Sequence, residues 1–344
     1  MTIEKQLTHR LFGAMLAAGF AMATVGAALA DNCKNRGELD EMYCDEDKDL
    51  VADPPKDASK FKDPSTLVFT YTPVEDPAVY KDAFDDFMKY LEKATSKKVI
   101  YYSVHSNSAQ LEAMRSGRLH VAGFSTGPTG FAVNLAGYVP MAVKGHPDGF
   151  QGYNLIMIVK KDSPFQTLAD LKGKKVAHTS PSSNSGNLAP RALFPKLGLV
   201  PDQDYQVLYS GKHDQSVIGV STGDYDAAPV ASDVYTRMVE RGTVKGDDFR
   251  IIYRSAKFPT SSFGYAHDLK PELVQKIVGA FHTYRFTPEM QKTFGGADRF
   301  YPVTYMADWE IIRTIAEGAN EPFNRSGLEA MKKKEEADAA KKKK

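Results

Sequence analysis

The feature that most constrains this fold is an alternation of short apolar runs with helix-period runs, repeated in two similar rounds. Thr66–Tyr71 reads as a strand that ends just before Pro73. Residues 79–94 follow with Phe84, Phe87, Met88 and Leu91 on one helical face. Residues 98–104 and 119–124 read as further strands, with a helix over 108–117 between them and a turn at Ser125 to Pro128. The second round places strands at 155–159, 174–177, Gln206–Tyr209 and 225–228, with helical runs near 187–197, 215–222 and 234–240. Strands separated by helices predict an α/β architecture with mixed, largely parallel sheets. Residues 110–123 and 215–228 match in pattern: each runs from a helix through glycine to a strand closing in small residues. Two similar lobes with a cleft between them follow, joined by a crossing near 159–171 and a return near 253–263.

One turn stands out within that scheme. Ser180-Pro181-Ser182-Ser183-Asn184-Ser185-Gly186 lies between a strand and a helix. A helix start presents unpaired N–H groups and the positive end of the helix dipole, which favour an anion. Hydroxyls and an amide add uncharged donors, so a tetrahedral oxyanion can be held there without a dedicated Lys or Arg. A helix cap needs one such residue, and this segment carries several.

The N-terminus has Lys5 and Arg10 before an apolar, small-residue stretch from Leu11 to Ala27, and Ala28-Leu29-Ala30 precedes Asp31. That pattern predicts a cleaved secretory signal over residues 1–30 and a periplasmic location. Cys33 and Cys44 are the two cysteines, and in an oxidising compartment they are expected to pair. They sit in an acidic extension, residues 31–65, expected to be a solvated tether. Asp45, Asp47, Asp49 and Asp53 are spaced like the ligands of a calcium loop, although Leu50 replaces the usual glycine and no Glu occupies the twelfth position.

A mature chain of about 310 residues can bury a substantial core and divide into two lobes. The formal charge of the whole chain is +1, and removing the signal leaves it near zero, which argues against nucleic acid as a partner. Residues 323–344 form a Lys-rich tail that reads as a solvated helix or a disordered end.

The segments GYNLIMIVKKDSPFQTLADLKGKKVA, SPSSNSG and GDYDAAPVASDVY resemble the phosphonate/phosphite/phosphate-type periplasmic solute-binding proteins of ABC transporters, over residues 66–320. The resemblance implies a type II periplasmic-binding-protein fold, with residues 66–160 and 264–322 in lobe I and 161–263 in lobe II. It implies no cofactor, a monomer, a small phosphorus oxyanion as ligand, hinge closure, and an inner-membrane permease as partner. Carried over by position, the family's oxyanion turn is Ser183, Asn184 and Ser185, its hinge-side tyrosine is Tyr153, and its lobe II histidine is His213. A glutamate that meets the ligand's ammonium corresponds to Asp233. Two positions depart: a first-lobe tyrosine is Asn107, and a second ammonium-binding carboxylate is Ser261. Ser125 follows a strand on the expected cleft side. Losing one carboxylate weakens the case for an aminoalkyl phosphonate.

Three other readings stand beside this one. A sensor partner that presents its bound oxyanion to a membrane receptor would share the pocket. Tyr101-Tyr102 raises a ferric-iron protein, but neighbours in a strand point to opposite faces. Ser183, His213 and Asp233 would be the members of a hydrolase triad, yet no Gly-x-Ser-x-Gly elbow and no His-Glu-x-x-His metal motif occurs. An enzyme is therefore not expected.

Overall fold

In the computed structural model the chain is described over residues 33–76 and 78–342; the expected signal segment lies outside them. The first round folds as β1 (Thr66–Tyr71), α1 (Ala78–Lys81), α2 (Asp85–Thr95), β2 (Lys98–Tyr101), α3 (Asn107–Arg115), β3 (Val121–Phe124), α4 (Thr126–Ala136), β4 (Tyr138–His146) and β5 (Gly149–Phe150). The second round is β6 (Gly152–Lys160), β7 (Lys175–His178), a π turn (Asn184–Leu188) running into α5 (Ala189–Leu193), β8 (Gln206–Tyr209), α6 (His213–Thr222), β9 (Ala227–Ala231), α7 (Ser232–Glu240) and β10 (Phe249–Pro259). The chain then returns through β11 (Ser262–Ala266), α8 (Pro271–Thr283), α9 (Pro288–Thr293), β12 (Arg299–Pro302), α10 (Tyr305–Asp308) and α11 (Glu310–Gly318), and ends in α12 (Arg325–Lys342).

Two mixed sheets result, one ordered β12-β4-β11-β3-β1-β2 with β5 on β4, the other β10-β6-β9-β7-β8. Each has a parallel core of the same design, β2-β1-β3 in one and β8-β7-β9 in the other. The duplicated pattern in the sequence is thus a duplicated strand order. Antiparallel strands complete each sheet, and β6 and β10, paired to each other, belong to the second.

The first crossing between sheets falls at Gln151, between β5 and β6, and not at 159–171. Residues 152–160 therefore leave the first lobe. The apolar run 155–159 is buried because β6 sits inside the second sheet between β10 and β9, so its apolar character marks burial and does not mark a boundary. The return falls at Thr260 and Ser261, between β10 and β11. The turn expected at Ser125 to Pro128 is instead the start of α4, which is buried along its whole length. A helix apolar all round shows no amphipathic period, and its two glycines and proline masked it further. The helix expected over 79–94 is interrupted by a 3-10 turn at Asp82–Phe84.

The described residues of the extension and of the tail pack against the body, contrary to expectation. In the extension Leu39, Tyr43, Val51 and Ala52 are buried in the main core, and the Cys33–Cys44 disulfide holds that segment with its Cα atoms 5.6 Å apart. In the tail Leu328 and Met331 are buried three residues apart on α12, giving a charge-rich run one apolar face. Lys332 pairs with Glu112 at 2.7 Å, and Ser108 donates to Glu335 at 2.8 Å. No described helix is long and apolar enough to cross a membrane.

The first sheet is backed by an aromatic cluster in which Phe69, Phe84, Phe263, Phe281 and Phe300 are buried. Burying each such ring contributes roughly 1.5–3 kcal/mol. Tyr71 is stacked on Phe263 at 5.5 Å and meets Tyr80 edge-on at 4.8 Å. That packing fixes the Tyr71 ring at the carboxyl end of β1, where the cleft begins.

Candidate functional site

Five helical segments begin at the carboxyl ends of sheet strands: α3 after β2, α4 after β3, the Asn184–Leu188 turn after β7, α6 after β8 and α7 after β9. In open α/β sheets this edge is where ligands bind. Their first residues converge on one cleft. Asn107, Ser125, Tyr153, Ser183, Asn184, Ser185, His213, Asp233 and Ser261 all line it. Each helix start contributes unpaired N–H groups and partial positive charge, so the wall favours an anion. The cavity measures about 50 Å³, far below the ~300–1,000 Å³ of drug-sized pockets. A compact ion suits it.

The Ser-rich turn packs closely. Ser183 accepts from the Gly186 N–H at 3.1 Å as an N-cap. A Cβ on Gly186 would lie 1.9 Å from Thr179 Oγ1 and 2.8 Å from Ser183 Oγ, so only glycine allows the turn this shape. Asn184 donates through Nδ2 to the Tyr153 hydroxyl at 3.0 Å, whose pKa burial pushes up to about 12. Asn184 Oδ1, Thr179 Oγ1 and Thr260 Oγ1 are buried without a protein partner, and all three residues line the cleft. Buried polar atoms are nearly always hydrogen-bonded, so these three have room for a ligand's bonds.

His213 is buried at the start of α6. Its Nδ1 accepts from the Ala231 N–H at 3.2 Å, and its Nε2 lies 3.5 Å from Ser183 Oγ. An N–H pointing at Nδ1 leaves the proton of neutral imidazole on Nε2, facing the serine. Burial pushes its pKa down to about 4. Nε2 is therefore a neutral donor at physiological pH, the reverse of the acceptor a serine triad requires. Tyr101 and Tyr102 stand apart from the cleft: Tyr101 packs on Phe69, and Tyr102 is exposed.

Asp233, expected to be open to an ammonium, is already engaged. It accepts from Arg237 Nη1 at 2.9 Å, and Arg237 Nη2 also reaches Glu75 Oε1 at 2.9 Å. Arg241 and Tyr80 bond the same Glu75. Burial alone would raise the pKa of Asp233, but the charge and hydrogen bond of Arg237, with Lys144 and His213, outweigh it and hold the carboxyl low. Glu75 follows β1 and Arg237 lies on α7, so this buried network spans the two sides of the cleft. Asn107 spans it too, donating to Ser182 Oγ at 3.0 Å.

Lys144 escaped the sequence reading. It is 1% exposed on β4 and makes no ion pair among the described residues. Its Nζ donates to the Tyr71 hydroxyl at 3.2 Å and sits 4.7 Å from the Phe294 ring centroid. Tyr71 in turn donates to Ser261 Oγ at 3.3 Å. A fully buried cation thus stands behind the position where a carboxylate was expected. One lysine in an apolar strand was the only available signal, and its partners are far away in sequence.

A two-lobed α/β fold with an anion-favouring cleft at its strand ends defines the class: a solute-binding protein of the periplasmic type. The chain belongs to the family described as ABC transporter, phosphonate, periplasmic substrate-binding protein, whose sequence model matches residues 69–309. Among curated relatives, it is 27% identical over 245 residues to the phosphate-import protein PhnD of Mycolicibacterium smegmatis, covering 67% of this chain and 75% of the relative. It is 24% identical over 213 residues to the phosphonates-binding periplasmic protein of Escherichia coli, covering 61% of this chain and 63% of that one. Among solved structures, PhnD1 of Prochlorococcus marinus in complex with methylphosphonate superimposes with a TM-score of 0.67 at 17% identity, over 75% of this chain and 99% of that one. A binding component of a Pseudomonas aeruginosa ABC phosphonate transporter gives 0.66 at 20% identity, over 82% and 98%. At such identities the two structures speak for the fold. The family is one of substrate-binding components of transporters, not of enzymes.

Proposed function

We propose that this protein is the periplasmic component of an ABC importer that captures phosphate, phosphite or a short, uncharged-tail phosphonate by hinge closure of its two lobes. It would then present the closed form to an inner-membrane permease. The observation that carries this reading is a pair of unpartnered buried hydroxyls free to donate, Thr179 Oγ1 and Thr260 Oγ1, beside one unpartnered acceptor, Asn184 Oδ1, which suits a protonated ligand oxygen, all on the wall of a cleft of about 50 Å³. In such a water-poor site each charge-assisted hydrogen bond to an oxyanion is strengthened. Ser183, Ser185 and His213 Nε2 supply neutral donors, and ligand shifts the population towards closure by its preference for that state. Asp233 is committed to Arg237, and Lys144 stands behind Ser261, so the far end of the cleft repels an ammonium. The relatives that import phosphate or bind phosphonates support the same ligand class.

A calorimetric screen of the exported protein against phosphate, phosphite, methylphosphonate, aminoethylphosphonate and sulfate tests the reading. At least one of the first three is expected to bind, and at least as tightly as aminoethylphosphonate. Failure of all phosphorus oxyanions to bind overturns the ligand class. A tenfold preference for aminoethylphosphonate overturns the selectivity.

A further inference from the structure

The acidic loop after the disulfide has no part in the cleft. Asp45, Asp47 and Asp49 each bring a carboxylate oxygen to within 4.8 Å of the others. Asp45 is only 1% exposed, and its Oδ1 has no hydrogen-bond partner, while Oδ2 accepts from the Leu50 N–H at 3.3 Å. A buried carboxylate with one oxygen free of any donor, beside two further carboxylates, is costly unless a cation completes the group. Leu50, which stands where a calcium loop usually has glycine, adopts a φ of +70°. The backbone therefore already makes the left-handed bend that the substitution was expected to forbid.

We propose that Asp45, Asp47 and Asp49 bind one Ca²⁺ ion. Asp53, expected as a fourth ligand, lies outside the group and accepts from the Glu46 N–H at 2.8 Å instead. The donors are all carboxylate oxygens, which select a hard cation, and a loop without a preformed octahedron favours calcium over magnesium. The twelfth position, which supplies a bidentate Glu in strong sites, is Lys56, and Lys56 pairs instead with Glu46 at 2.6 Å. The affinity is accordingly that of weak extracellular modules, with Kd on the order of 10⁻⁴–10⁻³ M. Val51 and Ala52, immediately after the loop, are buried in the main core. An ion here fastens the extension to the body of the protein and leaves the cleft alone.

The test is calorimetry and thermal unfolding of the metal-stripped exported protein, titrated with CaCl₂ and separately with MgCl₂. Calcium is expected to bind at one site per chain and, at 10 mM, to raise the unfolding midpoint by about 3 °C or more. The variant D47N/D49N is expected to lose both responses. It keeps the Asx acceptors of these two exposed residues, so its circular dichroism and its affinity for methylphosphonate or phosphate should match the wild type. No calcium heat and no midpoint shift in the wild type overturns the site, as does an unchanged calcium response in a folded D47N/D49N protein. An equal response to magnesium overturns the assignment to calcium.

Discussion

Arg237 and Arg241 pair directly with Glu75 and Asp233, whereas the buried Lys144 ammonium bonds the Tyr71 hydroxyl, lies over aromatic faces and meets Asp233 only at longer range. A buried charge without a direct ion-pair partner is poorly compensated for its lost hydration, and on the proposed function a bound anion would offset that cost. Lys144→Met should therefore raise the unfolding midpoint of the ligand-free protein. It should also weaken phosphate or methylphosphonate binding by at least tenfold, about 1.4 kcal/mol. Calorimetry with unchanged affinity would reduce Lys144 to a structural residue. A second residue-scale prediction concerns the turn: a donor to an anion contributes roughly 1.5–3 kcal/mol, so Ser183→Ala/Ser185→Ala should weaken binding by a hundredfold or more. Ser183 also caps Gly186, so part of its loss will appear in stability, about 1 kcal/mol. Ser185→Ala alone separates the two effects.

At the scale of the element, the shape of the Asn184–Leu188 turn depends on close approach. Its glycine lets Thr179 and Ser183 share one small space. On the facing side, a Cβ on Gly127 of α4 would lie 2.2 Å from the Ser182 carbonyl oxygen, so α4 can touch the turn only without a side chain there. Gly186→Ala should force the turn open, destabilising the protein by about 1–3 kcal/mol and abolishing most ligand affinity. Denaturant midpoints and calorimetry on the same preparation check both outcomes. A variant with wild-type affinity would mean the turn can relax without disturbing the ligand's donors.

Across the whole molecule, acid should loosen the fold through two buried histidines. Burial pushes His178 down to about 3, against the opposing effect of its hydrogen bond to Asn187 Oδ1, and pushes His213 down to about 4. The unfolded chain keeps ordinary values near 6.5. Below that pH the unfolded state takes up protons that the native state refuses, so their contribution is complete above about 6.5 and is lost as pH falls towards 4 and then 3. At ~1.4 kcal/mol per unit of depression, the loss should reach several kcal/mol. The low carboxyls of Glu75 and Asp233 lose theirs in the same direction, as pH falls through their folded values. Unfolding midpoints should change little from about pH 8.5 down to 6.5 and decline steadily from there to about 4.5. A flat profile would mean the histidines are protonated in the fold.

Much of this was legible without coordinates because it is local. Strand and helix periods depend on residues within one or two turns, so the duplicated α/β pattern could be read directly. Hydroxyls crowded at a strand-to-helix junction marked the turn, and every residue placed by the family resemblance reached one cleft. The remainder depended on partners distant in the chain. Glu75 meets Arg237 across 162 positions, and Lys144 meets Tyr71 across 73. Nothing near either residue signals its partner, so the commitment of Asp233 and the positive charge behind Ser261 emerged only from the packed fold. The same holds for α4, whose burial on all sides erases the period that would reveal it, and for the extension and the tail, whose few apolar residues acquire meaning only against the surface that receives them. Local chemistry determined the architecture and the Ser-rich turn, while tertiary packing decided the crossing at Gln151, the charge balance of the cleft and the docking of the extension and the tail.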